Sequence, residues 1–317
     1  MTESVLHQQM NSEVEVSKAK TSIRRLVWKI VLATLILMAI GSATRVMNAG
    51  LACPDWPLCY GELVPTSKMN LQVFLEWFHR LDAALIGLSA LALAGLSWWH
   101  RRSLPSWLPW ASTFALGLIF FQGVLGGLTV TELLRFDIVT AHLGTALLFF
   151  TTLLVIGTAL TPYQGNGNVG KLPIVAGGAA VLVYLQSLLG ALVGSQWALH
   201  QCLAGQELCG VMYSHIAGVA PPTLATLAVV FLSWRKPALH PALRQLASFA
   251  GGLLVLQIVL GVATFRLHLQ VEPLTVAHQA VGAALLGSLV AFTVLALRDQ
   301  AQANDIKSFS NKELVQT

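Results

Sequence analysis

The chain alternates long apolar stretches with short polar connections, and the apolar stretches are long enough to cross a bilayer. A spanning α-helix needs about 20 mostly apolar residues. Eight stretches meet this requirement, and they are residues 26–44, 76–99, 108–129, 138–160, 172–194, 213–234, 243–265 and 274–297. The pattern therefore predicts an all-α polytopic membrane protein with eight transmembrane helices.

The composition supports a membrane location and argues against a soluble enzyme. Charged residues make up 10 % of the chain, hydrophobic residues make up 55 %, and the mean hydropathy is +0.69. Soluble domains carry about 25 % charged residues. The net charge of +5 comes from basic residues that flank the spans and from the N-terminal segment, so it does not indicate a nucleic-acid partner. The expected partner of this surface is the lipid bilayer.

The distribution of basic residues predicts the orientation of the chain. With the N-terminus inside, the inner segments hold 14 of the 19 Lys and Arg residues. Cytoplasmic connections of membrane proteins carry this excess, so both termini are predicted to be cytoplasmic. The first apolar stretch is long enough to span, which argues against a cleaved signal peptide. Residues 1–25 and 298–317 are then cytoplasmic tails.

Four histidines repeat in a fixed register, and each lies near the start of a long apolar stretch. His79 and His142 are 63 residues apart, as are His215 and His278, and the two pairs are displaced by 136 residues. This register indicates a duplicated unit with two membrane histidines in each copy. The predicted architecture is two pseudo-symmetric four-helix bundles.

The duplication divides the membrane part into an N-terminal bundle at 26–160 and a C-terminal bundle at 172–297, joined by a cytoplasmic linker at 161–171. A second repeat lies in the odd-numbered helices, where a glutamine precedes a glycine by four residues. It occurs at 122–126, 186–190 and 257–261. Small residues at helical spacing allow close approach of a neighbouring helix or of a flat ligand, and the glutamines suit a ligand or a buried polar network.

Paired imidazoles across a helical bundle are a common way to hold a haem iron. A single membrane histidine could be an interhelical hydrogen bond, but four in register indicate a function. Zinc would favour a tighter cluster with Cys or carboxylate ligands, and a proton relay would need acids that the helices lack. The predicted pairs are His79 with His142 and His215 with His278. Three outer arginines are candidates for the haem propionates: Arg80, Arg135 and Arg266.

Only the first histidine has an acidic residue three positions before it. Glu76 and His79 share one helix face, and the equivalent positions in the other copies are Val139, Met212 and Thr275. A carboxylate beside a haem can take protons or stabilise developing positive charge. The alternative is a solvated glutamate at the membrane surface. The asymmetry favours the N-terminal bundle as the reaction site and the C-terminal bundle as a bound-haem electron site.

The four cysteines form two close pairs in loops that occupy equivalent positions of the repeat. Cys53 and Cys59 follow the first span, and Cys202 and Cys209 follow the fifth. Both loops are predicted to lie outside, where disulfides persist, so two local disulfides are the simplest interpretation. A four-cysteine zinc site is the alternative, although the spacing lacks CxxC pairs. The pairs could staple a loop or take part in thiol redox chemistry.

These motifs together resemble the haem A synthase family over residues 26–297. The most specific parts are Gly-Leu-Ala-Cys-Pro-Asp-Trp-Pro-Leu-Cys at 50–59, Glu-Trp-Phe-His-Arg at 76–80, and the three later histidine helices. The resemblance implies an oxidoreductase that converts the C8 methyl group of haem O into the formyl group of haem A through hydroxylated intermediates. A di-haem b-type electron-transfer protein and a haem carrier are the alternatives.

The resemblance also implies roles for particular residues. By analogy, haem b is the cofactor and is ligated by His215 and His278, while His79 and His142 belong to the substrate-haem site. Glu76 is then the catalytic acidic residue. The implied disulfide, with a redox role left open, joins Cys53 and Cys59.

The implied partners are haem O synthase, which supplies the farnesylated substrate, and the cytochrome oxidase assembly factors that take up haem A. A homo-oligomer stays open. The second cysteine pair, Cys202 and Cys209, is typical of bacterial members of the family. The expected location is therefore the bacterial inner (plasma) membrane.

Overall fold

The computed structural model describes residues 3–195, 209–267 and 270–316, with side chains over 17–195, 210–267 and 270–304. Within these ranges the chain is helical, with no strand and a single short 3-10 helix, Thr66–Lys68. The α-helices are α1 (Glu3–Val46), α2 (Leu71–Trp99), α3 (Trp107–Thr131), α4 (Phe136–Leu160), α5 (Leu172–Val193), α6 (Cys209–Ala217), α7 (Ala220–Trp234), α8 (Pro241–Arg266) and α9 (Glu272–Gln316).

Eight membrane-crossing segments are present in the described ranges, which confirms the predicted class of all-α polytopic membrane protein. By length and composition, the helices that could cross a membrane are α1 from residue 17 onward, α2, α3, α4, α5, the combined segment Gly210–Trp234, α8, and α9 as far as residue 304. The predicted tails are largely helical too, because α1 begins at Glu3 and α9 continues to Gln316.

Helix α2 begins five residues before the predicted start of the second span. The reason is a cap: Oδ1 of Asn70 accepts a hydrogen bond from the backbone N–H of Val73 at 3.0 Å, which satisfies a donor of the first turn. Glu76 and His79 consequently lie inside the helix, and their relative geometry is set by the helical backbone.

The sixth predicted span is one segment in the sequence but two helices in the structure, with the break at residues 218–219. Pro221 and Pro222 have no N–H to continue the hydrogen-bond ladder of the preceding turn. At Gly218 a side chain could not fit, because a methyl group there would lie 2.6 Å from Oε1 of Gln186. The break therefore lets α5 approach the backbone beside His215.

Helix contacts close into two rings. In the first half α1 packs on α2, α2 on α3, α3 on α4, and α4 on α1; in the second half α5, α7, α8 and α9 form the equivalent ring, with α6 against α5. Helices α4 and α9 also contact each other and are the most buried spans. Their fully buried side chains include Phe149, Leu153, Leu289 and Phe292. The large apolar core thus lies between the two halves; the exact domain boundaries stay predictions.

The linker between the halves is bound to the end of the last span. Asp299 is fully buried and accepts hydrogen bonds from the Tyr163 hydroxyl at 2.8 Å and from the Gly167 N–H at 2.5 Å. Arg298 donates to the carbonyl oxygens of Thr158 and Thr161, each at 2.9 Å. Burial, together with the Asp299 contact, raises the pKa of the Tyr163 hydroxyl. These contacts hold the two halves together on the linker side, opposite the loop that carries Cys53.

Candidate haem-binding site

Each of the four register histidines faces a glycine of the preceding odd-numbered span. The shortest distance from a methyl group placed at the glycine to Cε1 of the imidazole would be 2.8 Å at Gly41, 3.4 Å at Gly126, 3.0 Å at Gly190 and 2.9 Å at Gly261. The facing imidazoles belong, in the same order, to His79, His142, His215 and His278.

This contact shows what the four glycines face. General helix packing would place them against assorted apolar side chains, but all four meet the same atom of an imidazole. At Gly41, Gly190 and Gly261 the distance from an added methyl group to the imidazole would be shorter than an ordinary carbon contact of about 3.5–4.0 Å. The glycines therefore form a cradle that allows the histidine ring to lie directly on the backbone of its neighbouring helix.

The C-terminal pair of imidazoles is spaced for a shared metal atom. The ring centroids of His215 and His278 are 6.4 Å apart, with the planes inclined by 83°. A first-row metal bound to two imidazole nitrogens at about 2 Å each separates the two ring centroids by about 6 Å. Two of the repeat glutamines contact these rings. Nε2 of Gln186 lies 3.0 Å from Nδ1 of His215, and Nε2 of Gln257 lies 3.3 Å from Nε2 of His278.

The N-terminal pair carries buried polar atoms that the protein does not satisfy. Nδ1 of His79 and Nδ1 of His142 are buried without a hydrogen-bond partner, as is Oε1 of Gln122 beside them on α3. Buried polar atoms are normally hydrogen-bonded, so this cluster fits a site that is completed by a bound group. No group of three or more His, Cys, Asp or Glu residues in the described ranges forms a metal cluster, whereas a haem iron needs only two axial protein ligands.

Glu76 is buried, with only 3 % of its surface exposed, so the alternative of a solvated surface glutamate is wrong. Its Oε1 forms an ion pair with Arg80 at 2.5 Å, and its Oε2 accepts the backbone N–H of Cys53 at 2.8 Å. The carboxylate thus connects the helix that carries His79 to the loop that carries the first cysteine pair.

Arg80 completes the attachment of this loop to α2. Its guanidinium donates to the carbonyl oxygens of Asp55 and Leu58, each at 2.6 Å, and of Cys53 at 3.3 Å. With Glu76 these acceptors occupy both Nη atoms of the side chain, so the guanidinium of Arg80 is engaged by the loop. Arg135 is similarly occupied by Asp137 and Glu132.

The loop itself is closed by a disulfide between Cys53 and Cys59, as predicted for the first pair. A four-cysteine zinc site is therefore wrong. The predicted disulfide between Cys202 and Cys209 lies outside the described residues, since only the helical backbone of Cys209 is described. The ring of Trp56 lies over α3, where a methyl group at Gly127 would be 3.2 Å from it. The loop thus covers the end of the first bundle on the histidine side.

The Asp55 carboxylate makes the loop sensitive to acid. The backbone N–H groups of Gly61 and Tyr60 donate to its two oxygens at 2.8 and 2.6 Å and hold the pKa of the Asp55 carboxyl below its ordinary value. A carboxyl whose pKa is depressed by folding stabilises the structure above its unfolded pKa of about 3.9, and this stabilisation is lost as the pH falls through the folded value.

We expect Asp55→Ala to expose the Cys53–Cys59 disulfide. Its reduction by a water-soluble phosphine should be several times faster than in the wild type at pH 7. Because the reactivity of the phosphine itself depends on pH, the measurement is the ratio of the reduction rate of the variant to that of the wild type at each pH. The ratio should stay high down to about pH 4 and approach one at lower pH, as protonation removes the same contacts from the wild type. A ratio near one at pH 7 would contradict this account.

The chain is similar to proteins of one family over most of its length. The family described as a cytochrome oxidase assembly protein, COX15-CtaA, matches residues 24–290. A protein of Shewanella oneidensis named haem A synthase is 28 % identical over 307 residues, covering 81 % of this chain and 91 % of its own length. Proteins with the same name from Caulobacter vibrioides and Shouchella clausii are 28 % and 25 % identical, covering 84 % and 86 % of this chain and 94 % and 96 % of their own lengths.

The family match includes every feature of the site, from the glycine opposite His79 to His278. Sequence reasoning located the four histidines, Glu76 and the first disulfide, but it missed that Arg80 anchors the loop and that Arg45 donates to Gln279 with its Nε buried. The chain, a multi-pass membrane protein, belongs to the COX15-CtaA family, whose similar members carry the name haem A synthase.

Proposed function

We propose that this protein is a haem A synthase, which oxidises the C8 methyl group of haem O to the formyl group of haem A through hydroxylated intermediates. Written with water as the oxygen donor, this conversion adds one oxygen atom and releases four electrons and four protons. The observation that carries the proposal is the cradle of four glycine-backed imidazoles in two copies, in a chain that belongs to this family.

The two halves would have different functions, with substrate binding in the N-terminal half and electron transfer in the C-terminal half. His79 and His142 would hold the iron of the farnesylated substrate in the N-terminal half, where their Nδ1 atoms are buried without a hydrogen-bond partner and the facing glycines position the rings. His215 and His278 would ligate a resident haem b, which supplies one-electron transfer when bound. Electrons would leave the substrate singly through that position to an external one-electron acceptor.

Glu76 lies three positions before His79 and is buried, whereas Asp82, three positions after His79, is partly exposed. Both oxygens of Glu76 are held, one by Arg80 and one by the N–H of Cys53. It would therefore act as a fixed negative charge that stabilises developing positive charge on the substrate, and it could accept a proton only by giving up one of these contacts. The disulfide loop would keep this carboxylate in place and shield it from water.

The location and partners belong to the same proposal. The excess of basic residues on the linker side supports an orientation with both termini in the cytoplasm, and the similarity to bacterial proteins supports a bacterial inner membrane location. Haem O synthase would deliver the substrate, and cytochrome oxidase assembly factors would receive haem A.

The decisive experiment is to express the chain with haem O synthase in a host that lacks haem A, and to separate the extracted haems by chromatography. Haem A should appear only when both proteins are present. Glu76→Gln should still bind haem but reduce haem A at least about tenfold, with haem O or a hydroxylated intermediate accumulating, because the amide carries no charge. Glu132→Gln, at an exposed position, is the matched control. Pigments limited to haems b and O from the wild type would instead support an electron-transfer protein or a haem carrier.

A further inference from the structure

The guanidinium of Arg45 lies at the contact between the two halves and has no counter-charge among the described side chains. Arg45 is in the last turn of α1, in the N-terminal half. Its Nη2 donates to Oε1 of Gln279, on α9 of the C-terminal half, at 3.3 Å. Its Nε is buried and has no hydrogen-bond partner. Arg80 and Arg135 each have a carboxylate partner, whereas none of the ion pairs found among the described side chains includes Arg45.

A cation held in a partly buried position without an anion is costly. Removing a guanidinium from water costs several kcal/mol unless an opposite charge and further hydrogen bonds compensate. One amide oxygen at 3.3 Å is a weak compensation for five N–H donors. Within the described part of the chain, the guanidinium therefore lacks the anion that would compensate its removal from water.

The position of the guanidinium relative to His215 and His278 identifies the anion. Gln279 follows His278 directly. Gly194 lies one helical turn after Gly190, the glycine that faces His215. A methyl group at Gly194 would lie 2.8–3.0 Å from three atoms of the guanidinium. Four residues of an α-helix advance about 6 Å. The cation thus lies about one turn from the imidazole pair, on the side of the disulfide loop.

We propose that Arg45 binds a propionate carboxylate of the haem held by His215 and His278, so that the N-terminal half supplies the counter-charge of the C-terminal haem site. A planar guanidinium matches a carboxylate with two parallel hydrogen bonds. A haem propionate extends from the edge of the porphyrin on two rotatable methylene groups, so its carboxylate can reach a cation beside the axial imidazoles. The inference rests on the haem ligation given under Proposed function.

The proposal has a consequence that a purely structural arginine would not have. Reduction adds one electron to the haem, and a fixed positive charge nearby favours the reduced form, the more so in a medium of low dielectric constant. Arg45 should therefore raise the reduction potential of the C-terminal haem. Loss of the charge should lower the potential even where the haem stays bound.

The test is a redox titration of the purified full-length chain carrying His142→Ala, so that only the C-terminal haem is observed. Adding Arg45→Gln should lower the equilibrium constant for reduction about tenfold, which for one electron corresponds to 59 mV. Arg45→Lys, which keeps the charge, should restore most of the potential. Arg135→Gln removes an exposed, already paired arginine and should leave the potential unchanged.

A second variant displaces the charge without removing it. Gly194→Ala would push the guanidinium away and should lower the potential in the same direction by a smaller factor. Gly178→Ala, on the same helix with open space around it, is its matched control. This pair decides the matter if Arg45→Gln does not accumulate in the membrane.

Three results are informative in different ways. An unchanged potential in both Arg45→Gln and Gly194→Ala, with a normal haem spectrum, would overturn the inference while leaving the proposed function intact. A shift confined to the haem at His79 and His142, measured in a His215→Ala chain, would assign Arg45 to the other site and overturn it as well. Absence of haem from the wild type would instead overturn the proposed function.

Discussion

We expect Gly261→Ala to weaken binding of the haem proposed for the C-terminal half while leaving the helices folded. The added methyl group would lie 2.9 Å from Cε1 of His278, so the imidazole has to move by about half an ångström to restore ordinary contact. Metal ligation tolerates displacements of about 0.2 Å. Disturbing the groups that position a metal ligand typically lowers metal affinity about 10- to 100-fold, and we expect haem affinity at this site to fall by that factor.

The measurement is the haem-to-protein ratio of the purified variant, together with the helix content by circular dichroism. Alanine is a better helix former than glycine by about 1 kcal/mol, so loss of haem cannot be explained by a weaker helix. Gly252→Ala lies on the same helix with nothing within 4 Å and should retain full haem. Gly126→Ala, where the distance is 3.4 Å, should be nearly neutral. Equal effects at Gly261 and Gly252 would show that the cradle has no role.

The second large effect is a separation of the two haem sites by histidine substitution. His278→Ala removes a proposed ligand of the resident haem and should abolish both that haem and the formation of haem A. His142→Ala should abolish haem A as well, but the protein should keep about one b-type haem. Removal of an axial ligand from a paired site leaves iron with a single protein ligand, which explains the size of both effects.

Absorption spectra and chromatography of the extracted haems distinguish these outcomes. His240→Ala, which replaces a histidine outside the register at the N-terminus of α8, is the matched control and should retain both haems. Formation of haem A by His142→Ala would remove the N-terminal pair from the substrate site. Loss of all haem from both variants would show that the halves do not bind haem independently.

Several parts of this arrangement depend only on local sequence patterns. The eight spans follow from the length of the apolar stretches, because the backbone of a lipid-exposed segment has to satisfy its hydrogen bonds internally as a helix. The register of the four histidines follows from the duplication. The Cys53–Cys59 disulfide joins residues separated by six positions, so its loop needed no distant element to bring the two together.

Other parts depended on segments that are remote in the sequence. Glu76 could be exposed or buried as far as α2 alone is concerned; the loop with Cys53 and the side chain of Arg80 make it a buried ion pair. The glycines showed helical spacing, but only helix packing could bring them opposite imidazoles of the following helix. Adjacent prolines mark the break in the sixth span. The hydrogen bond from Gln186 to the backbone of His215 near that break depends on how α5 packs, which no local pattern shows.

The sequence by itself determined the membrane class, the doubled unit and the histidines that serve it, because each is a periodic property of one chain segment. Only the tertiary structure decided how the two halves share a site. Arg45 and Gln279 are separated by 234 positions, and no local pattern encodes which helix faces which. The contact arises because α1 packs against α9, which places the partly buried guanidinium of Arg45 against Gln279 and Gly194 of the second half.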